Sequence, residues 1–248
     1  MGAGVGADRS GSLTPAIAWA GAVLASSRRY FLPQKQASFV ANPVSKHAGS
    51  IDSLVLQRIR SMKPGTIFKP RDLQRLGTRT AVASALARYL KAGTLKQPAR
   101  GLYQVPQIDP VLGELHATPD QIANALAGEH HLRLQPSGAY AANLLGLSDQ
   151  VPQRIVYLTD GTPREVRVGR QRIVLRRTTP RNMATAGRIS GLVIQALRHL
   201  GQRHVDRTVI DKLRRRLDKK DRARLLADIP LAPVWIGEMM REIASGAA

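Results

Sequence analysis

The chain has 248 residues, with 38 Lys and Arg against 17 Asp and Glu, a formal net charge of +21 and a pI near 11.5. That excess is larger than solubility requires and points to a polyanionic partner, nucleic acid ahead of an anionic membrane surface. Cysteine is absent, which excludes disulfide staples and thiolate zinc sites and fits a reducing, cytoplasmic setting.

The charge is unevenly spread. Residues 1–50 hold 5 basic against 1 acidic residue, 51–106 hold 11 against 2, 107–180 hold 8 against 7, and 181–248 hold 14 against 7. Polyanion-binding surfaces are therefore expected in 51–106 and near the carboxy terminus, and not in the nearly neutral middle.

The first fifty residues are rich in Gly, Ala and Ser and carry Pro15, Pro33 and Pro43 without sustained periodicity; they read as a disordered extension. Leu13 to Ala25 is apolar, but it contains Pro15, follows only Arg9 as a positive charge and is too short to span a bilayer. No membrane partner is expected.

From Ile51 the pattern turns helical, with Ile51, Leu54, Val55 and Ile59 on one face and Pro64-Gly65 as a stop. Thr66-Ile67-Phe68 suits a short strand, Pro70 opens a two-turn helix over Arg71 to Leu76, and Gly77 ends it. Thr78 caps a third helix from Arg79 to Ala92. On a helical wheel Val82, Ala85, Leu86, Tyr89 and Leu90 share one side, and Thr80, Ser84, Ala87, Arg88 and Lys91 the other. One face can pack into a small core. The other offers hydroxyls and cations suited to base edges and phosphates in a major groove.

After this helix come a strand over Thr94 to Gln97, a turn over Pro98 to Gly101 and a strand over Leu102 to Val105, a hairpin with Lys96 and Arg100 near its tip. The order predicts a winged helix-turn-helix over 51–106. Its duplex-contacting residues are expected to be Arg79, Thr80, Ser84, Arg88, Lys91, Lys96 and Arg100.

The segment 107–183 reads as an α+β domain. A helix starts at Thr118-Pro119-Asp120 and runs through Ala127, Leu132 to Leu134 is a short strand, and Pro136-Ser137-Gly138 leads into a helix over Ala139 to Leu145, with Ser137 as its cap. Strands over Arg154–Thr159, Arg164–Val168 and Arg172–Arg177 are expected to form an antiparallel meander with turns at Asp160-Gly161 and Gly169-Arg170. Residues 184–248 read as helices, Arg188 to Leu200, Thr208 to Leu217, Lys219 to Ala227 and Pro233 to Ala244. The basic run from Arg214 to Arg224 reads first as a solvated helix face and second as another polyanion site.

Ile67-Phe68 to Gly77, the helix from Thr80 to Ala92, and Arg100-Gly101-Leu102-Tyr103 resemble the amino-terminal domain of AbiEi-type antitoxins of toxin-antitoxin (abortive infection) systems. Pro136 to Ser148, Gln150-Val151-Pro152 and Tyr157 to Gly161 are similar to an uncharacterised bacterial family placed beside those antitoxins. The resemblance spans roughly 51–183. It implies a transcriptional regulator that binds inverted repeats of duplex DNA upstream of its own operon; because one winged helix covers only a short half-site, a homodimer or two monomers are expected on such a repeat. It also implies an antitoxin opposing a nucleotidyltransferase-like toxin, directly or only functionally.

Catalytic chemistry is weakly signalled. Asp160 and Glu165 with Arg167 could suggest a nuclease or RNA-acting enzyme targeted by a winged helix, but Asp160-Gly161 suits a turn and Glu165 an exposed strand position. Glu129-His130-His131 has no third His nearby, Ser137 lacks a nucleophile elbow, and there is no phosphate-binding loop of the Gly-x-x-x-x-Gly-Lys type. No catalysis, cofactor or metal is expected. The phrase around Asn143 carries no assignable chemistry.

Overall fold

A computed structural model of the chain describes residues 49–128 and 132–245. The expectations for residues 1–48 and for Glu129, His130 and His131 lie outside them. The described residues form an α+β structure, and none of their helices is long and apolar enough to cross a membrane.

Helix α1 (Ile51–Arg60) begins at Ser50, whose hydroxyl accepts the N–H of Ser53. Its buried face is Val55 and Ile59; Leu54, expected beside them, is exposed. Strand β1 (Ile67–Phe68) follows. Pro70–Leu76 is a 3₁₀ helix rather than two α-turns, and its Leu73 is buried. Gly77 ends that segment with an extended backbone, not a left-handed one. A Cβ there would sit 2.7 Å from the Ile51 side chain, so close packing on α1 is what calls for glycine.

Helix α2 (Arg79–Lys91) is capped by Thr78, and Val82, Ala85, Leu86 and Tyr89 are buried. With Val55, Ile59, Phe68, Leu73 and Leu95 they make one apolar core. Strands β2 (Lys96–Ala99) and β3 (Leu102–Gln104) pair antiparallel, and β1 pairs with β3 on its other side, giving the order β1-β3-β2. A second hairpin that the composition did not announce, β4 (Gln107–Asp109) and β5 (Gly113–Leu115), comes next. Its Ile108, Val111 and Leu112 are exposed, so no apolar face marked it in the sequence.

Helix α3 (Pro119–Ala127) opens with a reciprocal cap between Thr118 and Gln121. Strand β6 (Leu134–Ser137) starts two residues later than expected and runs straight into α4 (Gly138–Leu144). Ser137 is both the last residue of β6 and the N-cap residue of α4, as expected, but its hydroxyl makes no capping hydrogen bond and instead donates to the Gln195 Oε1 at 3.2 Å. Asn143 donates from Nδ2 to the carbonyls of Ser148 and Gln150, which holds the loop after α4 and accounts for the phrase around it.

Strands β7 (Arg154–Thr159), β8 (Arg164–Val168) and β9 (Gln171–Arg177) fall where the sequence predicts, but they do not form a meander. The sheet order is β6-β7-β9-β8, with β7 parallel to β9 and β8 antiparallel to β9. Ile155-Val156-Tyr157-Leu158 and Ile173-Val174-Leu175 are continuous apolar runs, the pattern of central strands covered on both faces. Alternating Arg164-Glu165-Val166-Arg167-Val168 is suited to the half-wet edge it occupies. Gly169-Arg170 forms the expected tight turn from β8 to β9, but Asp160-Gly161 leads away from β7 to the far edge.

A short helix α5 (Pro180–Met183) leads to α6 (Ile189–Leu200), α7 (Arg207–Arg216), α8 (Lys219–Asp228) and α9 (Val234–Ser245). A second apolar core joins Ala141, Ala142 and Leu145 from and after α4 to Val193, Leu197, Ile210, Leu213, Leu225 and Ile236 from these helices. Much of the basic run there is occupied: Arg214 binds Asp211 and the Glu242 carbonyl, Arg216 the Leu144 carbonyl, and Arg222 the carbonyls of Arg214 and Leu217.

Candidate nucleic-acid interface

Burying Val82, Ala85, Leu86 and Tyr89 turns the opposite stripe of α2 to solvent, because residues three and four apart share a helix face. Thr80, Ser84, Ala87, Arg88 and Lys91 are all exposed on it, and Arg79 is exposed at the helix start. Arg79 and Lys91 form no ion pair among the described residues.

Arg88 is partly engaged. One terminal N–H donates to the Asp52 Oδ1 of α1 at 2.5 Å, while the side chain stays 60% exposed. This hydrogen bond holds the guanidinium above its ordinary pKa. Next to it the Tyr89 hydroxyl donates to the Asp52 carbonyl at 2.9 Å, and burial, with the nearby Asp52 carboxylate, pushes the phenol up to about 12. Asp52 thus ties the first turn of α1 to the last turns of α2. Sequence reasoning missed it because an acidic residue in a first helical turn is already explained by the helix dipole.

The hairpin differs from the expected one. Its turn is two residues, Arg100-Gly101, with Gly101 at φ +77°, and Pro98 and Ala99 belong to β2. Arg100 is therefore at the tip, but Lys96 pairs with Gln104 at the open end, away from it. There Lys96 meets Glu114 of β5 at 3.1 Å. Ala99 and Leu102 are buried beside the turn, and β2 lies against β8, so the hairpin is braced and not free-standing. Glu114 was missed because β4–β5 was.

The carboxylates weighed for catalysis stand apart. Asp160 accepts from the backbone N and the Nε of Arg133, at 3.1 and 3.0 Å. Burial pushes that carboxyl up, but the Arg133 hydrogen bonds outweigh it and hold the group below the ordinary Asp range. Glu165 faces Arg172 at 3.7 Å on the other side of β9 from β7. No group of three His, Asp or Glu among the described residues could hold a metal.

A protein-family model, described as a family of unknown function (DUF6088), matches residues 54–225. The chain belongs to this family. The match begins within α1 and ends within α8, so it takes in the first apolar core and the mixed sheet, whereas Ile236 of the second core lies beyond it. No curated protein matches the chain.

Proposed function

We propose that the chain is a DNA-binding transcriptional regulator in which residues 51–106 act as a winged helix-turn-helix, with α2 in the major groove and the β2–β3 hairpin on the adjacent backbone. One observation carries the reading: α2 is held down by one face and presents Thr80, Ser84, Arg88 and Lys91 on the other, within the most basic segment of the chain. Thr80, Ser84 and Arg88 lie one turn apart, the spacing needed to address successive bases. Arg79 adds support. A cation in a first helical turn opposes the helix dipole at a cost of about 0.3–1 kcal/mol, and phosphate contact would offset that.

Asp52 takes one of the five guanidinium N–H groups of Arg88, leaving enough for a bidentate contact to guanine. A single module of this size covers a short half-site, so specificity calls for two copies on an inverted repeat. On the resemblance of 51–183 to AbiEi-type antitoxins, the operon controlled is its own and the partner gene encodes a nucleotidyltransferase-like toxin. The regulator works without a catalytic centre, cofactor or membrane.

Selection of bound sequences from a random duplex pool tests the DNA reading. The wild type should enrich an inverted repeat, and Arg88→Ala should lose preference at one symmetric position, a discrimination of roughly 1–3 kcal/mol. A wild type that enriches nothing overturns the reading. A variant that weakens all sequences equally would make Arg88 a phosphate contact only.

A further inference from the structure

A cleft of about 760 Å³ has no residue of α2 in its lining. One wall is the chain from Pro64 to Phe68. The other is α3 and its cap, through Gln121, Asn124, Ala125, Ala127 and Gly128. Five cations reach it from four places: Arg58 at the end of α1, Lys63 just after it, Lys69 and Arg71 at the start of the 3₁₀ helix, and Arg164 at the start of β8. The lining contains one carboxylate, Asp72, which accepts the Lys69 backbone N–H at 2.8 Å.

Six cations of the described residues are matched. Arg88, Lys96, Arg133, Arg172, Arg188 and Arg214 each face a carboxylate. None of the five cleft cations forms an ion pair among the described residues. Like charges converging on a concave surface repel one another and raise the local potential, an arrangement that attracts anions and contributes nothing to folding. Lys69 registers the crowding: its ammonium donates to the Leu126 carbonyl at the end of α3, and burial, then Arg164, push its pKa below the ordinary Lys value.

We propose that this cleft binds a small diphosphate-bearing molecule of nucleotide size. Five cations and one carboxylate leave a formal excess of four positive charges on the lining. A single phosphate carries about −1.5 to −2 near neutral pH, which leaves at least half of that excess unmet, so a ligand with more than one phosphate suits the lining better. The volume falls in the usual range for small-molecule sites, about 300–1,000 Å³. Cations hold the phosphates, and amides hold the remainder. Gln121 Oε1 accepts the Thr118 N–H, which leaves its amino group to donate, and the Asn124 amide makes no side-chain hydrogen bond among the described residues. The site does not depend on the DNA reading.

Calorimetry on the full chain at low salt, with ADP, inorganic pyrophosphate and adenosine as probes, decides the matter. ADP and pyrophosphate should bind at one per chain and raise the melting temperature, and adenosine should do neither. Arg71→Gln combined with Arg164→Gln, both exposed, should weaken ADP at least about tenfold, or 1.4 kcal/mol, without lowering the melting temperature of the free chain. Should that pair unfold the chain, Lys63→Gln alone should still weaken ADP several-fold. Asn124→Ala should weaken ADP and spare pyrophosphate. The proposal fails if neither diphosphate binds at about 5 mM, or if adenosine binds as well as ADP. It also fails if the charge variants bind ADP like the wild type. Loss of duplex binding in the double variant without ADP binding to the wild type would assign the cleft to the DNA interface and overturn the proposal.

Discussion

At the scale of single residues, Asp52 is the position whose role changes most once the chain is folded. Its carboxylate orients the Arg88 guanidinium and also places a negative charge beside the exposed face of α2. Removing the charge has two opposite consequences. Asp52→Asn should raise affinity for unrelated duplexes, because repulsion of phosphate falls, and should lower discrimination between the selected repeat and those duplexes, because the guanidinium loses its bearing. Fluorescence anisotropy with both duplexes measures the two effects together, and a variant that gains in discrimination would contradict the assignment.

Asp160 gives a pH prediction whose sign follows from its depressed folded-state pKa. The unfolded carboxyl titrates near about 3.9, so the Arg133 interaction contributes its full stability above that value. The contribution is lost as pH falls through the lower folded value. Asp160→Asn should therefore be less stable than wild type at neutral pH, by about 0.2–1 kcal/mol for so exposed a pair. The difference should shrink below about pH 4. Urea unfolding at the two pH values checks it, and a constant difference would show that the pair contributes through geometry alone.

At the scale of elements, the hairpin β2–β3 separates two cations that adjacent sequence suggested would act alike. Arg100 stands in the turn without an ion pair among the described residues, while Lys96 stands at the open end against Glu114. Arg100→Ala should reduce the slope of log affinity against log salt by about one phosphate contact, and Lys96→Ala by clearly less. Equal reductions would mean that both engage phosphate and that the Lys96–Glu114 pair opens on binding. In the carboxy-terminal helices, Arg214, Arg216 and Arg222 spend their donors on main-chain carbonyls. Part of that basic run is thus absorbed by packing, which lowers its weight as a second nucleic-acid surface.

At the scale of the whole molecule, the two apolar cores of the described residues are built from Val55 onward. Ser50 is needed because it caps α1. A chain starting at Ser50 should keep its far-UV circular dichroism and cooperative melting and lose only nonspecific DNA affinity, in line with the four net positive charges removed. Failure to fold would show that the first 49 residues hold a structural role.

Local signals were legible without the fold. Thr78 before Arg79 and the three- and four-residue spacing of Val82, Ala85, Leu86 and Tyr89 determined α2 and its exposed stripe, because helix capping and amphipathicity are read from neighbours in sequence. The bounds of β7 and β8 were equally local, and the +21 charge determined the class of partner to consider. Three things waited for the tertiary structure: the parallel pairing of β7 with β9, the occupation of Arg88 by Asp52 and Lys96 by Glu114, and the gathering of Arg58, Lys63, Lys69, Arg71 and Arg164 around one cleft. Each joins residues that no helix or hairpin period relates. Strand order is chosen by which apolar runs must be covered on both faces, and ion pairs and charged clefts are chosen by which elements pack together, so a reading confined to adjacent residues leaves them open.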